Sequence, residues 1–539
     1  MSRRERMGSI SDGMAPVLLL LLLIVPIISF SQISQPHRYE REHKGADDMP
    51  TIIPLSREGV VMVYSKEKYS EGKKLWNVVM LDTTLTERKT VEVNVEMRYH
   101  LVGYEYVPGY FYLLYSAGEI SKSALVLYEF NTQGDELGRY EIKPELEFKL
   151  THFIKAGEKM ALGGYVSKEP VVLLFEMKSN LIKVLPGFFQ KDMELVDLRS
   201  NQNKSFNVVL IDRSMKLEKK LVFKTFDENG ELLLEDIVPM DDNRSLQTGI
   251  SSTLEHEELV VMGTWGHKQD RQSTGFFILH VDPFHDQKIH YFYLTRLSHY
   301  LDRFKPARAK HLRDKGEDDI VADRDPDFSE YIMPFKIEET KDGFLMLAEV
   351  YAPVSNLSQY NTPYGYGPAM YGSPYYYNPY WPNYYAPGRM YNPYSPGTGN
   401  KAYSEINALQ TVLISVDHKG DILWDQAMKM EDVSNRTSLE QMSDFYYGTN
   451  RVTILYRIKE GQLRVRTTDI ADDESKEVTE KIKLLEPQDE FRNEKDDIGG
   501  VVKWYDNSFF VWGFQTIRNV TKEERIRDVF YINKVVTPR

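Results

Sequence analysis

Apolar and polar residues alternate over short runs along most of the chain, and the clearest case is 219–238, KKLVFKTFDENGELLLEDIV. Leu221, Phe223 and Thr225 form one run, Asp227-Glu228-Asn229-Gly230 a polar turn, and Leu232 and Leu234 a second run. Side chains alternate across a strand with a period of two, so each run is expected to bury one face. Gly230 tolerates the positive φ that a tight turn demands, so the two runs predict a β-hairpin.

The same phrase recurs. The residue that closes the third strand of each unit falls at Asp82, Asn131, Met177, Asp227, Asp282, Asp417, Asp469 and Asn533. The first five are 49, 46, 50 and 55 residues apart, and the last three 52 and 64. Asp282 to Asp417 is 135 residues, but 295–330 and 353–403 lack the strand pattern, and removing their 36 and 51 residues leaves 48. A period near 50 with four short strands per unit predicts an all-β protein, a β-propeller with eight four-stranded blades. Radial closure also protects the strand edges that an open sheet would expose. The fourth unit reads as strands near 193–199, 205–212, 219–227 and 231–238, and the second as 100–107, 110–116, 122–131 and 136–142. The eighth shows three strands (498–505, 507–514, 527–536), so its fourth is expected from the segment before Thr51. Seven blades plus an extra sheet is the alternative.

Ser415-Val-Asp417-His-Lys-Gly420-Asp-Ile-Leu-Trp424 resembles the repeat of quinoprotein-like propellers, in which Asp, Gly and Trp recur after the third strand. Phe226-Asp227-Glu-Asn-Gly230-Glu-Leu-Leu matches without the Trp, and Asn131-Thr-Gln-Gly134 matches more distantly. The resemblance implies architecture. The Trp is missing from the other units, so a quinone cofactor does not follow and no cofactor is expected. Asp227 and Asp417 read as turn formers.

The two interruptions carry the rest of the signal. In a propeller the connections from one blade to the next and from second to third strand share a face. Segments 295–330 and 353–403 are therefore expected on one face, around the sixth blade. The second holds twelve tyrosines between Tyr360 and Tyr394, Trp381, and eight prolines up to Pro396. Pro and Gly at this density prevent regular structure, while Tyr offers rigid amphipathic contact area. Tyr375, Tyr376, Tyr377, Tyr380, Trp381, Tyr384 and Tyr385 are the candidate binding residues, against the plainer reading of a low-complexity expansion. In 295–330, Leu297, Tyr300, Leu301, Phe304 and Leu312 sit near helical spacing, predicting a short helix interrupted at Pro306. Glu317, Asp318, Asp319, Asp323, Asp325 and Asp327 follow as a solvated acidic loop. Asp323-x-Asp325-x-Asp327 begins like a calcium loop, then lacks the turn Gly and closing Glu. His280, His285 and His290 cluster in sequence, but five-residue spacing does not make them converge, and no metal site is expected.

The N-terminus adds a location. Arg3, Arg4 and Arg6 precede Ala15–Phe30, nearly unbroken Leu, Ile and Val, and Ser29-Phe30-Ser31 has the small residues a signal peptidase needs. Residues 1–31 read as a signal peptide, 32–50 as an N-terminal segment that closes the last blade, and 51–539 as one propeller domain. An uncleaved membrane anchor is the alternative for 1–31. The chain has no cysteine, which suits a bacterial envelope better than a disulfide-bearing extracellular module. The net charge of −13 is spread along the chain without a basic footprint, so nucleic acid is not an expected partner. No phosphate loop, nucleophile elbow or metalloprotease helix stands out. The expectation is an exported, non-catalytic propeller, periplasmic or extracellular, that binds an envelope protein or glycan. A glycan hydrolase or lyase with acids at the propeller channel is the runner-up, and a quinone-dependent oxidoreductase stands behind it.

Overall fold

The computed structural model describes residues 33–43, 50–117, 124–214, 219–241, 243–253, 258–267, 272–282, 284, 287–354, 405–433, 440–522 and 525–539. Strand β1 (Ser34–Glu42) is followed by blade 1, β2 (Thr51–Pro54), β3 (Val60–Ser70), β4 (Lys73–Leu81) and β5 (Glu87–Glu96). Blade 2 is β6 (Tyr99–Val107), β7 (Tyr110–Ala117), β8 (Leu125–Asn131) and β9 (Glu136–Ile142). Blade 3 is β10 (Phe148–Ala156), β11 (Lys159–Val166), β12 (Glu169–Glu176) and β13 (Leu181–Val184). Blade 4 is β14 (Met193–Ser200), β15 (Phe206–Asp212), β16 (Lys220–Phe226) and β17 (Leu232–Pro239). Blade 5 is β18 (Arg244–Ser251), β19 (Val260–His267), β20 (Gly275–His280) and β21 (His290–Tyr293). Helix α1 (Pro306–Val321) precedes blade 6, β22 (Tyr331–Thr340), β23 (Gly343–Val354), β24 (Glu405–Asp417) and β25 (Ile422–Lys429). Blade 7 is β26 (Ser443–Tyr447), β27 (Arg451–Ile458), β28 (Gln462–Asp469) and β29 (Glu474–Lys481). Blade 8 is β30 (Glu490–Lys503), β31 (Ser508–Arg518) and β32 (Ile526–Val536), with β1 as its fourth strand.

These are eight four-stranded antiparallel sheets in a ring, a β-propeller. The first strands of successive blades touch (β2–β6, β6–β10, β10–β14, β14–β18, β18–β22, β26–β30), so they are the innermost. Asn533 does not close a strand: it lies inside β32, opposite Arg38 of β1, because the fourth strand comes from the far end of the chain and needs no turn there.

The apolar pattern follows from the ring. Eight apolar clusters fill the eight interfaces between adjacent blades. In β15, Phe206, Val208 and Leu210 face blade 3 while Val209 and Ile211 face blade 5. Middle strands are thus buried on both sides and read as continuous apolar runs. The 219–238 hairpin departs from expectation for this reason: after Lys220, β16 is buried throughout, and only the outer strand β17 alternates. Its turn forms as the sequence predicts, with Gly230 at φ +73° and the Asp227 carboxylate accepting the N–H groups of Asn229 and Glu231 at 2.8 Å each. Asp417 does the same for Lys419 and Asp421, and Asp82 for Thr84 and Thr86.

Candidate functional site

Antiparallel order puts the turns between first and second and between third and fourth strands on one face. The segments 294–330, joining β21 to β22, and 355–404, joining β23 to β24, leave from the other. The β23–β24 hairpin is a stem, paired out to Val354 opposite Glu405. Residues 355–404, which include Tyr375, Tyr376, Tyr377, Tyr380, Trp381, Tyr384 and Tyr385, lie outside the described residues. So do 1–32 and His285.

The segment 294–330 is fastened to the propeller beside that stem. Leu294, Leu297, Tyr300, Leu301 and Ala309 join the cluster between blades 5 and 6. Gln410 of β24 donates to the Tyr300 carbonyl at 2.9 Å, and Asp425 of β25 accepts the N–H groups of Ser298 and His299 at 2.7 and 2.8 Å. The Tyr300 hydroxyl donates to Glu330 at 2.7 Å, and Glu330 pairs through its backbone with Ser273 of blade 5. The helix is not interrupted at Pro306 but begins there, since proline's missing N–H costs nothing in the first helical turn. The helix also takes in Glu317, Asp318 and Asp319, which the sequence predicts as loop. Gly316 lets the helix approach Thr295, whose Oγ1 would lie 2.5 Å from a Cβ at that position.

Four of the six acids in this tract meet cations. Glu317 accepts from Arg296 (2.8 Å), Asp319 from Arg324 (2.8 Å), and Asp325 from Arg244 (2.9 Å) and the Tyr293 hydroxyl (2.7 Å). Asp327 pairs with Lys315 at 3.3 Å. Among the described residues no group of three His, Asp or Glu is arranged to hold a metal ion. His280 and His290 stand on paired strands but out of register, with His290 opposite Ile278.

Apart from Glu349 on β23 and Glu58 between β2 and β3, a second set of polar groups, invisible to motif searching, sits on the innermost strands. Five of them share a bulge, at Val102, Thr151, Val196, Gln247 and Phe335, and the residues just past it include His152, Asp197 and Lys336. Asp197 accepts the Ser251 N–H and hydroxyl of the next blade, both at 2.7 Å. Asp444 of blade 7 accepts the Lys503 N–H of blade 8 at 2.8 Å and pairs with Lys336 of blade 6. Glu338 binds the Lys336 and Lys503 ammonium groups at 3.1 and 2.9 Å. Burial alone would raise the Glu338 carboxyl, but those two cations bring it down to about 2. Glu349 accepts the Met442 and Ser443 N–H groups and the Ser443 hydroxyl at 2.9, 2.8 and 2.6 Å. Glu58 of blade 1 accepts the Gly109 N–H and Tyr106 hydroxyl of blade 2, both at 2.9 Å.

Across the ring, burial pushes Glu105 up to about 8, against the Lys155 backbone N–H and the charges of Arg199 and Lys155. Burial likewise drives His152 down to about 4, with Asp197 opposing. Chemically these groups are staples: carboxylates of one blade take up backbone and side-chain donors of the next. The sequence signal for them is a charged residue in the middle of an otherwise apolar first strand, as in LVGYEYV and LVDLRS.

No protein-family model matches this sequence, and no curated protein matches it. Solved structures similar to it include propellers. The WD40 domain of SCAP from fission yeast aligns with 94% of this chain and 98% of its own at 7% identity, TM-score 0.41. The Dos1 propeller aligns with 81% and 92% at 9% identity, TM-score 0.38. The propeller domain of the Trilobed protease from Pyrococcus furiosus, which has an open velcro topology, aligns with 81% and 93% at 12% identity, TM-score 0.33. This chain's own sheet order shows the eight four-stranded blades.

Proposed function

We propose that this chain is an exported, non-catalytic binding or scaffold module, engaging a protein or glycan of the cell envelope through the face that carries its two insertions. The observation that carries the reading is the long β23–β24 stem, which holds both ends of the Tyr-rich segment beside the fastened 294–330 insertion. Tyr375, Tyr376, Tyr377, Tyr380, Trp381, Tyr384 and Tyr385 are the residues assigned to contact. The repeat phrase 415–424, similar to quinoprotein-like propellers, is taken as blade architecture without quinone chemistry. Export is supported by the apolar run Ala15–Phe30 behind three arginines, and a bacterial envelope by the lack of cysteine. Among the described residues no helix is long and apolar enough to cross a membrane.

A glycan hydrolase or lyase is less well supported, because the axial carboxylates Asp197, Glu338 and Asp444 are each engaged by an adjoining blade or a lysine. To test the binding role, 355–404 is replaced by a short Gly-Ser turn between Val354 and Glu405, and both forms are probed on arrays of envelope glycans and by pull-down of envelope proteins. Loss of a ligand held by the full chain supports the role, and identical binding by both forms defeats it. N-terminal sequencing of protein recovered from a fractionated bacterial host should give Gln32 as the first residue.

A further inference from the structure

His299 links the 294–330 insertion to blade 7, and both nitrogens of its ring face carboxylates. Nδ1 lies 3.0 Å from Asp302 Oδ2, and Nε2 lies 3.3 Å from Asp473 Oδ2. Asp302 belongs to the insertion itself, whereas Asp473 stands in the turn between β28 and β29 of blade 7.

Each of these carboxylates is held by its other oxygen. Arg313 of α1 donates to Asp302 Oδ1 at 3.2 Å, and Gln426 of β25 donates to Asp473 Oδ1 at 3.0 Å. Gln426 is buried, so blade 6 fixes the aim of Asp473. The backbone under the ring is fixed as well, because Asp425 takes the Ser298 and His299 N–H groups. The charged groups around the ring are thus Asp302 and Arg313 of the insertion, Asp425 of β25 and Asp473 of blade 7.

A carboxylate oxygen accepts and does not donate, so both contacts are hydrogen bonds only when each ring nitrogen carries a proton. The imidazolium meets that condition. The neutral ring has a single N–H and sets a lone pair against the second carboxylate. Asp302, nearer and in the same turn, keeps the remaining proton, so the longer contact to Asp473 is the one lost.

We propose that His299 is a pH-dependent clasp, closed on blade 7 as the imidazolium and released from Asp473 as the neutral ring. Histidine changes charge between about pH 5 and 8, so the clasp is shut at the acid end of that range and open at the other. The buried side chains of Tyr300 and Leu301 and the Gln410 bond to the Tyr300 carbonyl hold the insertion at either pH. Release therefore loosens 298–303 without unfolding the insertion. The device does not depend on the binding role proposed for this face.

Amide hydrogen exchange of the full chain, corrected for the intrinsic rate at each pH, tests the clasp. Protection within 298–303 should fall about threefold between pH 5.5 and pH 8.5, the scale of one solvent-screened ion pair, while 125–131 in blade 2 stays unchanged. His299→Gln should give equal protection at both pH values, because an amide does not titrate there. Asp473→Asn should do so too, because the new side-chain amide can donate to the bare nitrogen as well as accept from the protonated one. Equal protection of the parent at both pH values would overturn the proposal. So would a full pH response retained by either variant, or a fall of the same size in 125–131, which would trace the effect to global stability.

Discussion

The Arg38 guanidinium donates to the Asn533 side-chain carbonyl at 2.8 Å, although the two residues stand 495 positions apart. Arg38 also donates to Gln515 at 2.9 Å and Glu40 at 2.6 Å, and its guanidinium lies 4.4 Å above the Tyr531 ring. Arg527 of β32 reaches the same Glu40 at 3.2 Å and Asp489 at 2.9 Å. Gln35 joins β1 to the end of blade 7 through the Lys481 carbonyl and the Lys483 N–H, both at 2.8 Å. On its other side Arg41 stacks 3.5 Å from the ring of Tyr64 in blade 1. The ends of the chain meet in one blade, and that blade closes the ring.

Arg38→Ala should therefore destabilise the whole propeller, because Glu40 and Asn533 lose a buried partner. The Arg38 and Glu40 side chains are 3% and 6% exposed. Removing one member of such a pair costs about 3 kcal/mol. A urea midpoint that moves by less than a third of the corresponding shift would show that β1 is not the latch.

Glu338 sets an acid limit. Its carboxyl is held at about 2 in the folded chain, below the ordinary 4.5, so its contribution is present above pH 4.5 and is lost as pH falls toward 2. Glu338→Gln should cost about 2 kcal/mol at neutral pH, since Lys336 and Lys503 keep some exposure to solvent. Parent and variant should converge near pH 2. Unfolding curves that stay parallel from neutral pH to pH 2 would refute this role.

Glu105 works in the opposite sense. Its folded carboxyl is raised to about 8 from 4.5, so folding is penalised progressively as pH rises through that window. Glu105→Gln removes the penalty. The stability of the variant relative to the parent should grow by more than about 1 kcal/mol between pH 5 and 8, then level off. Denaturant titrations at four pH values would show it, and a difference independent of pH would exclude an ionising Glu105.

Gly316 is the helix position at which shape outweighs propensity. An alanine in an exposed helix would be favoured by about 1 kcal/mol over glycine. At Gly316 the new Cβ would meet Thr295 Oγ1 at 2.5 Å and Cβ at 2.7 Å, neither of which moves without the buried backbone. Gly316→Leu should free 294–330 for limited proteolysis while far-ultraviolet circular dichroism of the sheets is retained. Unchanged protease resistance would mean that α1 does not dock through this contact.

Much of the architecture was legible because a repeat writes itself many times. The phrase around Asp227–Gly230 recurs at Asp417–Gly420 and Asn131–Gly134, and each copy encodes its own local turn through a carboxylate or amide that caps nearby N–H groups. The strand count, the two interruptions at blade 6 and the need for an N-terminal fourth strand all follow from that period. The start of α1 differs from the sequence expectation because proline ends a helix or begins one according to its position, and the apolar spacing upstream of Pro306 belongs to docking contacts instead.

What the sequence alone determined is local: period-two runs, Gly-dependent turns, and a segment whose composition cannot form strands. Only the tertiary structure decided that the middle strands bury both faces, that Asp197, Glu338 and Asp444 staple blade to blade, and that Arg38 meets Asn533. These contacts join residues tens to hundreds of positions apart, and no spacing along the chain encodes them. They exist because closing the ring brings each first strand against the next, where a charge must find a partner or remain buried without one.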